Sequence, residues 1–561
     1  MQLYKFNIEV GNKYEETGNI VKPEIVKYKF TPLISIIILL LITGCRGNDG
    51  VKTENKGKAK CYYLSSSGDD QNPGSITKPW KTLEKINQID LKPGDNILFE
   101  GGAIFRGTFH LDSCDSGEEE KKVIIGSYGS GRAIIDGANA EGIVVKNCSY
   151  FIIRDLIVKG SGRKEGNVTD GVYIAGSKYF DLDSLELSGF QHSGLHIHIC
   201  SNIKIKNVYA HDNGFAGIHV TGTTINDPAK YDNENVYIGY CVAGNNPGDP
   251  TVTDNHSGNG ILVSSTGGGT IEYCEAMNNG WDMPWTGNGP VGIWIWDCTD
   301  FIIQHCISHD NKTNPVAADG GGFDLDGGVS NSVIQYCLSY NNHGAGFGLF
   351  EFGATKPWEN NIVRYNISKD DGIINGGSLS IWRNETAGSM KNCEIYNNTF
   401  YKTTGRGNSL WIYNNWPGFH FRNNVFIYKG SFLYHGQKLA TELFQANCYW
   451  NLAGDQTITG YKNLREWAHA TGNELLGDSI AGIYADPCLQ SPGTISLTDP
   501  GKLDPENLAA FCLKAGSPLI DHGLDLKKLF SLETGIKDIA GITVPQGKGF
   551  DIGAMEYISK K

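Results

Sequence analysis

The sequence carries no excess of basic residues, and this limits the partners that it can bind. Among 561 residues there are 48 Lys and Arg against 61 Asp and Glu, which gives a net charge of −13. Nucleic acids and anionic membrane surfaces are bound by basic faces, so we expect neither as a partner. Strongly acidic polysaccharides are disfavoured for the same reason, although a local site can carry the opposite charge.

Several catalytic and metal-binding motifs are also missing. No two cysteines are spaced as Cys-x-x-Cys, which excludes the usual patterns of zinc ribbons and thioredoxin-like redox sites. The chain contains no Gly-x-Ser-x-Gly elbow, no phosphate-binding loop and no His-Glu-x-x-His. Long runs of helix formers are scarce, whereas the 72 Gly and 26 Tyr are typical of many short strands joined by tight turns.

The N-terminal region has the pattern of an export signal. Lys27 and Lys29 precede an apolar run, 33–42, which is shorter than the roughly 20 residues of a membrane span. The run ends in Ile42-Thr-Gly-Cys45, which resembles the lipobox of bacterial lipoproteins, in which the cysteine is acylated. We therefore expect a lipoprotein signal region over 1–45, a flexible tether over 46–60, and a cell-envelope protein anchored to the membrane through Cys45 on the periplasmic or the surface side. An uncleaved anchor is the alternative.

A short segment that begins with a small residue recurs through the middle of the chain. Its apolar and variable positions alternate, which is typical of a strand with one buried face. The clearest copies are Gly171-Val-Tyr-Ile, Gly194-Leu-His-Ile, Gly217-Ile-His-Val, Gly260-Ile-Leu-Val, Gly292-Ile-Trp-Ile, Gly322-Phe-Asp-Leu and Gly346-Phe-Gly-Leu.

A second strand follows each copy and carries one aligned position, repeated roughly every 30 residues. Small or polar residues fill that position: Asp155, Ser184, Asn207, Cys241, Cys274, Cys306, Cys337, Asn366, Asn398 and Asn424. We interpret the column as an interior ladder in which the cysteines are packing residues. Neighbouring rungs of a sheet lie about 4.8 Å apart, so a disulfide along the ladder remains an alternative.

The repeats predict an all-β protein, a right-handed parallel β-helix. A unit that cannot bury its own apolar face must stack on its neighbours, and the alternation excludes helical repeats. We expect an N-terminal cap and first coils over 61–140, a β-helix core that carries the active site over 141–450, and C-terminal coils with a capping segment over 451–561.

Segments near both ends resemble bacterial β-helix lipoproteins and enzymes that act on polysaccharides, the glycoside hydrolase and polysaccharide lyase-like superfamily. They are Pro79-Trp-Lys-Thr-Leu-Glu, which suits a short capping helix, Leu91-Lys-Pro-Gly-Asp-Asn-Ile, Val123-Ile-Ile-Gly-Ser-Tyr, Ser517-Pro-Leu-Ile-Asp and Gly549-Phe-Asp-Ile-Gly-Ala-Met-Glu. The resemblance covers roughly residues 60–561. It implies the fold and leaves the activity open, because such coils host hydrolases, lyases, esterases, epimerases and phage adhesins.

One rung of the outer face carries two aspartates. Asp324 and Asp326 are two residues apart on a strand, so they project the same way at a spacing of roughly 6.5–7 Å. Asp319 in the preceding turn and Glu351 one rung later complete a group of four predicted catalytic carboxyls. Glycoside hydrolysis needs one carboxyl that protonates the leaving oxygen and another that attacks or activates water. Crowding raises at least one pKa, which suits a general acid.

The same segment has other interpretations. Asp-Leu-Asp-Gly-Gly is also a plausible turn for Ca²⁺, and a plain surface turn is a further alternative. For the hydrolase we expect no required cofactor and no metal ligand, with Ca²⁺ as the one open possibility.

Aromatic and histidine side chains are predicted to bind the sugar on this face. Trp294 and Trp296 lie one rung before the aspartates and Trp382 lies two rungs after, where flat rings can stack on pyranoses. His219, three rungs away, and His343, at the end of the aspartate coil, are the predicted polar contacts. Packing of Trp296 beneath a long loop, and solvated surface positions for both histidines, are the alternatives.

The sequence thus predicts an exported, monomeric glycoside hydrolase for a neutral or lightly charged oligo- or polysaccharide. The first alternative is a polysaccharide lyase or epimerase, which needs a base and a partner for a uronate. None of the nearby basic residues falls on the outward columns of the strands, which disfavours the lyase and the epimerase; these residues are Lys356, Arg364, Arg383 and His343. The second alternative, a non-catalytic glycan-binding surface lipoprotein, has no use for paired carboxyls.

Overall fold

The computed structural model describes residues 59–223, 227–384, 390–403, 408–413, 417–435, 441–493 and 495–559. The predicted signal region with Cys45, and nearly all of the predicted tether, lie outside these ranges. Within them, no helix is long and apolar enough to cross a membrane.

Short strands make up most of the described chain. The first ten are β1 (Cys61–Leu64), β2 (Asn96–Glu100), β3 (Ile104–Arg106), β4 (Phe109–Leu111), β5 (Val123–Tyr128), β6 (Ala133–Ala138), β7 (Ile143–Lys146), β8 (Ser149–Gly160), β9 (Val172–Ala175) and β10 (Lys178–Ser188). The middle coils contain β11 (Ser193–His198), β12 (Ser201–Lys206), β13 (Tyr209–His211), β14 (Ala216–Thr221), β15 (Asn233–Gly239), β16 (Val242–Gly244), β17 (Asn259–Glu272), β18 (Glu275–Met277), β19 (Ile293–Gln304), β20 (Ile307–His309), β21 (Phe323–Leu325), β22 (Val333–Gln335), β23 (Leu338–Tyr340), β24 (Phe347–Glu351), β25 (Trp358–Arg364), β26 (Ile367–Lys369) and β27 (Gly377–Arg383). The last strands are β28 (Met390–Tyr396), β29 (Thr399–Lys402), β30 (Asn408–Ile412), β31 (Phe419–Arg422), β32 (Val425–Tyr428), β33 (Leu433–His435), β34 (Leu443–Gln445), β35 (Cys448–Asn451), β36 (Leu475–Leu476), β37 (Ser479–Ile480) and β38 (Ile483–Tyr484).

Helices are few and short. They are α1 (Leu83–Ile86), α2 (Leu464–Thr471) and α3 (Leu526–Phe530), with 3-10 turns at Ser113–Asp115, Pro500–Lys502 and Ala509–Phe511.

Each strand of a coil pairs in parallel with the corresponding strand of the next coil. On the face that carries the aspartates, Trp294 pairs with Asp324, and Asp324 pairs with Gly348. The rung continues from Gly348 to Ser380 and from Ser380 to Trp411. This uninterrupted register confirms the predicted parallel β-helix, in which alternating side chains of every strand point into one continuous core.

The interior contains both apolar stacks and polar ladders. In the apolar part, similar side chains of successive coils stack on each other. Phe151 stacks on Phe180, for example, with ring centroids 4.9 Å apart. At one turn, asparagine amides of successive coils donate to each other's oxygens, ending on Asp371: Asn213, Asn246, Asn279, Asn311 and Asn342. Since buried amides must be paired, this ladder satisfies the polar groups of a buried turn.

The predicted cysteine ladder is confirmed as a packing feature. Cys241, Cys274, Cys306 and Cys337 are buried, and each is a free thiol, as are all the cysteines of the described residues. The backbone N–H of Cys241 donates to the sulfur of Cys274 at 3.5 Å, and Cys274 contacts Cys306 in the same way.

In the first coils, the predicted interior ladder is wrong by one residue. Asp155, Ser184 and Asn207 have φ values of 55°, 56° and 52° and lie at the turn that precedes the interior position. The interior column passes instead through the residue that follows each of them, which is buried in every case: Leu156, Leu185 and Val208. Small polar residues suit both a left-handed turn and an interior ladder, so their identity alone does not separate the two positions.

The two ends of the coil stack are closed by helical segments. The side chain of Thr82 accepts from the backbone of Lys85 and begins α1, as the sequence predicts. At the other end, Trp467 of α2 packs against Phe444 and closes the apolar core.

Residues 486–493 and 495–559 pack against the side of the coils. They cover the outward apolar column of β20, β23, β26, β29 and β32, and the hydroxyl of Tyr340 donates to the carbonyl of Leu497 at 3.2 Å.

Candidate active site

A cavity of about 860 Å³ opens on the outer face at the predicted rung. Its floor comes from β14, β17, β19, β21, β24, β27 and β30, and its walls come from the loops that lead into β17, β19, β21 and β27. The residues that line it are Phe215, His219, Thr221, Asn255, His256, Leu262, Asn288, Gly289, Val291, Trp294, Trp296, Ala318, Asp319, Asp324, Asp326, Ala345, Phe350, Phe352, Asn375, Gly376, Ser380, Trp382 and Trp411.

Three of the four predicted catalytic carboxyls converge on this cavity: Asp319, Asp324 and Asp326. Asp324 lies in β21 and is 2% exposed. Its Oδ1 is buried, and no hydrogen-bond partner for it exists among the described residues. Gly348 on the next rung makes room for this carboxyl, since a Cβ there would lie 2.9 Å from Oδ1. An unpaired buried oxygen costs free energy, so its presence at a cavity wall suits a group that meets a ligand.

The three carboxyls hold their protons with different strength. Burial raises the pKa of Asp319 to about 6, although the backbone N–H of Gly289 donates to it. Burial, with the negative charges of Asp319 and Glu351, raises the pKa of Asp326 to about 8. The pKa of Asp324 is raised well above its usual range by burial and by the two neighbouring aspartates. Near neutral pH the cluster therefore contains both an ionised and a protonated carboxyl.

The fourth predicted carboxyl, Glu351, does not reach the cavity. One oxygen accepts from the backbone N–H groups of Gly353 and Ala354, both at 2.7 Å, and the other accepts from Gly328 at 3.0 Å. Glu351 therefore joins two loops instead of presenting a free carboxyl. The alternation of β24 explains its position, because Phe350 faces the cavity and the next residue points to the opposite side.

The three predicted tryptophans all line the cavity, with different exposure. Trp294 is only 4% exposed, and its indole N–H donates to Asn259. Its ring therefore forms part of the cavity wall and has little free surface on which a sugar could stack. Trp296 meets Phe352 edge to face with centroids 5.9 Å apart, and Trp382 is half-buried. Trp296 and Trp382 therefore offer the open aromatic surface that sugars need for stacking.

The two predicted histidines differ. His219 lines the cavity, stacked on His196 with ring centroids 4.7 Å apart. Burial and neighbouring histidines hold its pKa well below the usual range, so it is neutral. His343 is not among the lining residues, and its Nδ1 accepts from the backbone of Thr313 at 3.4 Å.

Sequence reasoning missed the residues that loops contribute. Asn255 and His256 come from the loop between β16 and β17, Asn288 from the loop before β19, and Asn375 from the loop before β27. The amide of Asn288 donates to Asn255 at 3.1 Å, which joins two of the loops. No strand periodicity places such residues, because each loop has its own length.

The charge of the lining is one-sided. Among the described residues that line the cavity, three are aspartates and none is Lys or Arg. Across the described ranges, no group of three or more His, Cys, Asp or Glu is arranged to hold a metal ion.

The comparisons with known proteins include a matching family model and relatives that act on glycans by name. A family model described as Pel9A-like, right handed beta helix region, matches residues 62–409. A lacto-N-biosidase of Bifidobacterium longum is 24% identical over 497 residues, which cover 68% of this chain and 29% of that protein. The pectate lyase PEL9 of Emericella nidulans is 21% identical over 337 residues, which cover 56% of this chain and 77% of the lyase. The chain thus spans less than a third of the lacto-N-biosidase.

Among solved structures, the GH136 lacto-N-biosidase from Eubacterium ramulus is 18% identical, with a TM-score of 0.47 over 70% of this chain and 68% of that one. The pectate lyase Pel9A is 17% identical, with a TM-score of 0.43 over 90% of this chain and 98% of that one. The predicted resemblance to polysaccharide-degrading β-helix proteins is confirmed by the family match.

Proposed function

The chain belongs to the Pel9A-like, right-handed β-helix family, and from this premise we propose that it is a glycoside hydrolase that acts on uncharged oligo- or polysaccharides. The observation that carries the proposal is the composition of the cavity, in which three aspartyl carboxyls meet aromatic walls. Hydrolysis of a glycosidic bond requires an ionised and a protonated carboxyl beside the scissile oxygen. A lacto-N-biosidase and a pectate lyase among its relatives support a glycan as the substrate.

The different pKa values suggest a role for each aspartate. Asp319, with a pKa of about 6, is the carboxylate that attacks the anomeric carbon or activates water. Asp326, with a pKa of about 8, is the acid that protonates the leaving oxygen. A general acid works best when its pKa lies near the operating pH, and Asp326 meets this condition. Asp324, whose pKa burial and the neighbouring aspartates hold well above its usual range, stays protonated and donates a hydrogen bond to the bound sugar.

The same lining disfavours the lyase and epimerase alternative. Both reactions remove a proton beside a uronate carboxylate, whose charge must be neutralised by a cation or a metal ion. The ionised carboxylate of Asp319 repels a uronate, and no Lys or Arg among the described lining residues offsets that charge. A non-catalytic binder is disfavoured too, because buried carboxyls cost stability and add nothing to stacking on tryptophan.

A panel digestion tests the hydrolase directly. Soluble protein from Lys58 onward is incubated with neutral glycans, pectate and alginate, with and without EDTA. We expect reducing ends from a neutral glycan, no ultraviolet absorbance of an unsaturated uronate, and an unchanged rate in EDTA. Unsaturated products from pectate or alginate would overturn the hydrolase.

Asp326→Asn should lower turnover by about a thousand-fold or more, because the proton donor is lost. Asp300→Asn is the matched control, since Asp300 is an exposed turn residue with φ 53°, a conformation that asparagine tolerates. Equal losses in the two variants would show a general effect on folding.

We propose further that Cys45 anchors the protein to the membrane of the cell envelope. The support is the basic and apolar sequence before it, with small residues at the cleavage point. Cys45→Ala should move the expressed protein out of the membrane fraction. Retention of this variant in the membrane would favour an uncleaved anchor.

A further inference from the structure

His256 stands in the cavity wall without a role in the chemistry described so far. It belongs to the loop between β16 and β17 and is 9% exposed. Its ring meets Trp294 edge to face, with centroids 5.1 Å apart, and lies 6.0 Å from the ring of Phe215. Trp294 pairs with Asp324 across the sheet, and His256 lines the same cavity as the three aspartates.

The contacts of Asn259 fix which nitrogen of His256 carries the proton. The Oδ1 of Asn259 receives the backbone N–H of Val291 at 3.3 Å and the indole N–H of Trp294 at 3.1 Å. Both groups only donate, so Oδ1 is the acceptor and the amide cannot be turned over. Its Nδ2 therefore donates, to the carbonyl of Phe215 at 3.2 Å and to Nδ1 of His256 at 3.1 Å.

A histidine nitrogen that accepts a hydrogen bond carries no proton. Since Nδ1 of His256 accepts from Asn259, the proton of the neutral ring is on Nε2, the remaining polar atom of a ring that lines the cavity. Burial lowers the pKa of His256 to about 4, so the ring stays neutral at physiological pH.

We propose that His256 is a substrate-binding residue whose Nε2–H donates a hydrogen bond to an uncharged oxygen, a hydroxyl or an acyl carbonyl, of the sugar beside the aspartates. The inference rests on the proposed hydrolase and narrows its substrate class. The neutral ring of His256, with its Nε2–H donor, is packed against Trp294 and Phe215. This arrangement favours a glycan that has an uncharged acceptor oxygen next to the apolar face of its sugar ring. Removal of such an acceptor leaves a buried N–H unpaired, which is how polar pockets select among related sugars.

Kinetics of His256 variants test the role. The probe is the neutral oligosaccharide that wild type cleaves fastest in the panel digestion. His256→Phe keeps the ring and removes the donor, so we expect KM to rise about ten-fold or more, with both limbs of the pH profile of kcat in place. His256→Gln keeps an N–H donor and should stay within about three-fold of wild type. His110→Phe, at an exposed position far from the cavity, is the control.

Each outcome separates the two proposals. If wild type cleaves no glycan, the hydrolase proposal fails. If wild type is active and His256→Phe leaves KM unchanged, the binding role fails while the hydrolase stands. A large loss of kcat together with one limb of the pH profile would make His256 an acid or base and overturn the binding role.

A measurement independent of activity tests the geometry. Nitrogen-15 NMR of histidine-labelled protein should show His256 as the Nε2–H form from pH 5 to 8. In Asn259→Asp the new carboxylate accepts from the ring, so the proton should move to Nδ1 or the ring should become charged. A wild-type ring that is cationic or protonated on Nδ1 would overturn the inference.

Discussion

The carboxyl of Asp324 can keep its position only because Gly348, its neighbour on the next rung, has no side chain. A Cβ at Gly348 would meet Asp324 Oδ1 at 2.9 Å and the ring of Phe350 at 2.7 Å, closer than such atoms pack. In Gly348→Ala one of these two cavity residues must move, and we expect kcat/KM to fall by about ten-fold or more, since small displacements at a reacting centre are costly. Gly267→Ala is the control, because its nearest contact at 3.5 Å is ordinary. Similar activity of the two variants would contradict the close packing.

The pKa values predict a bell-shaped pH profile. The proposed mechanism requires Asp319 to be ionised, so activity should rise as the pH passes about 6. The proposed mechanism also requires Asp326 to be protonated, so activity should fall as the pH passes about 8. A kcat/KM profile measured on the cleaved glycan checks both limbs, and a profile without the alkaline limb would remove Asp326 as the acid.

The same residue predicts a stability effect with a defined sign. The folded pKa of Asp326 lies at about 8, above its ordinary value of 3.8, so folding favours the protonated form. The free energy of unfolding therefore falls as the pH rises from about 4 to about 8. Asp326→Asn removes this loss and should raise Tm at pH 8 more than at pH 4. Thermal unfolding at the two pH values checks it, and an equal shift at both would show that charge is not the cause.

At the scale of whole elements, one arginine joins the loops that wall the cavity. Arg163, in the loop between β8 and β9, donates to the carbonyl of Gly248 at 3.0 Å and forms an ion pair with Asp282. These partners belong to the loops before β17 and β19, which also meet through Asn255 and Asn288. The wall of the site therefore depends on a side chain from an earlier coil.

Arg163→Ala should raise KM several-fold and leave kcat nearly unchanged, because Arg163 holds the loops before β17 and β19, whereas the three aspartates lie in or close to β21. Lys164→Ala is the matched control. Lys164 pairs with the same Asp282 at 2.6 Å, but its side chain is 49% exposed, against 12% for Arg163. Exposed pairs contribute little, so its effect should be small. Equal KM values for both variants and wild type would show that the wall holds without Arg163.

The cysteine ladder supports a prediction about packing. Cys274→Ser and Cys306→Ser should each lower the free energy of unfolding by a few kcal/mol at most and leave catalysis intact, because both thiols are buried and far from the cavity. Denaturant unfolding with activity assays checks this. Thiol labelling in denaturant that found no free cysteine would contradict the packing role.

The sequence predicts the site residues whose positions follow from the alternation of strands. It does not predict the site residues that loops contribute. Asp324 and Trp294 were placed because each occupies the third position of a repeated strand. The prediction that Glu351 faces the cavity is wrong. Phe350 faces the cavity, and the alternation of a strand points the next residue, Glu351, away from it. His256 and Asn259 meet through a loop and a strand start, and no periodic pattern relates them.

At the scale of the molecule, the fold was predictable because stacking is nearly one-dimensional. Each coil contacts mainly its two neighbours, so a local repeat in the sequence becomes the global architecture. The position of residues 486–559 was not predictable in this way. Leu497, for example, contacts Tyr340, which lies 157 positions earlier in the chain, and no repeat links the two residues.

The side-packed segment has a consequence for synthesis. A chain that emerges N-terminus first can complete its coils in order, and with them the aspartate rung. The apolar column of β20, β23, β26, β29 and β32 stays uncovered until the last residues arrive. A prematurely terminated copy would thus contain the complete aspartate rung but expose the apolar column on the side of the coils. Chaperones and proteases recognise exposed apolar surface, so we expect copies that lack residues after 486 to be removed faster than copies that contain them.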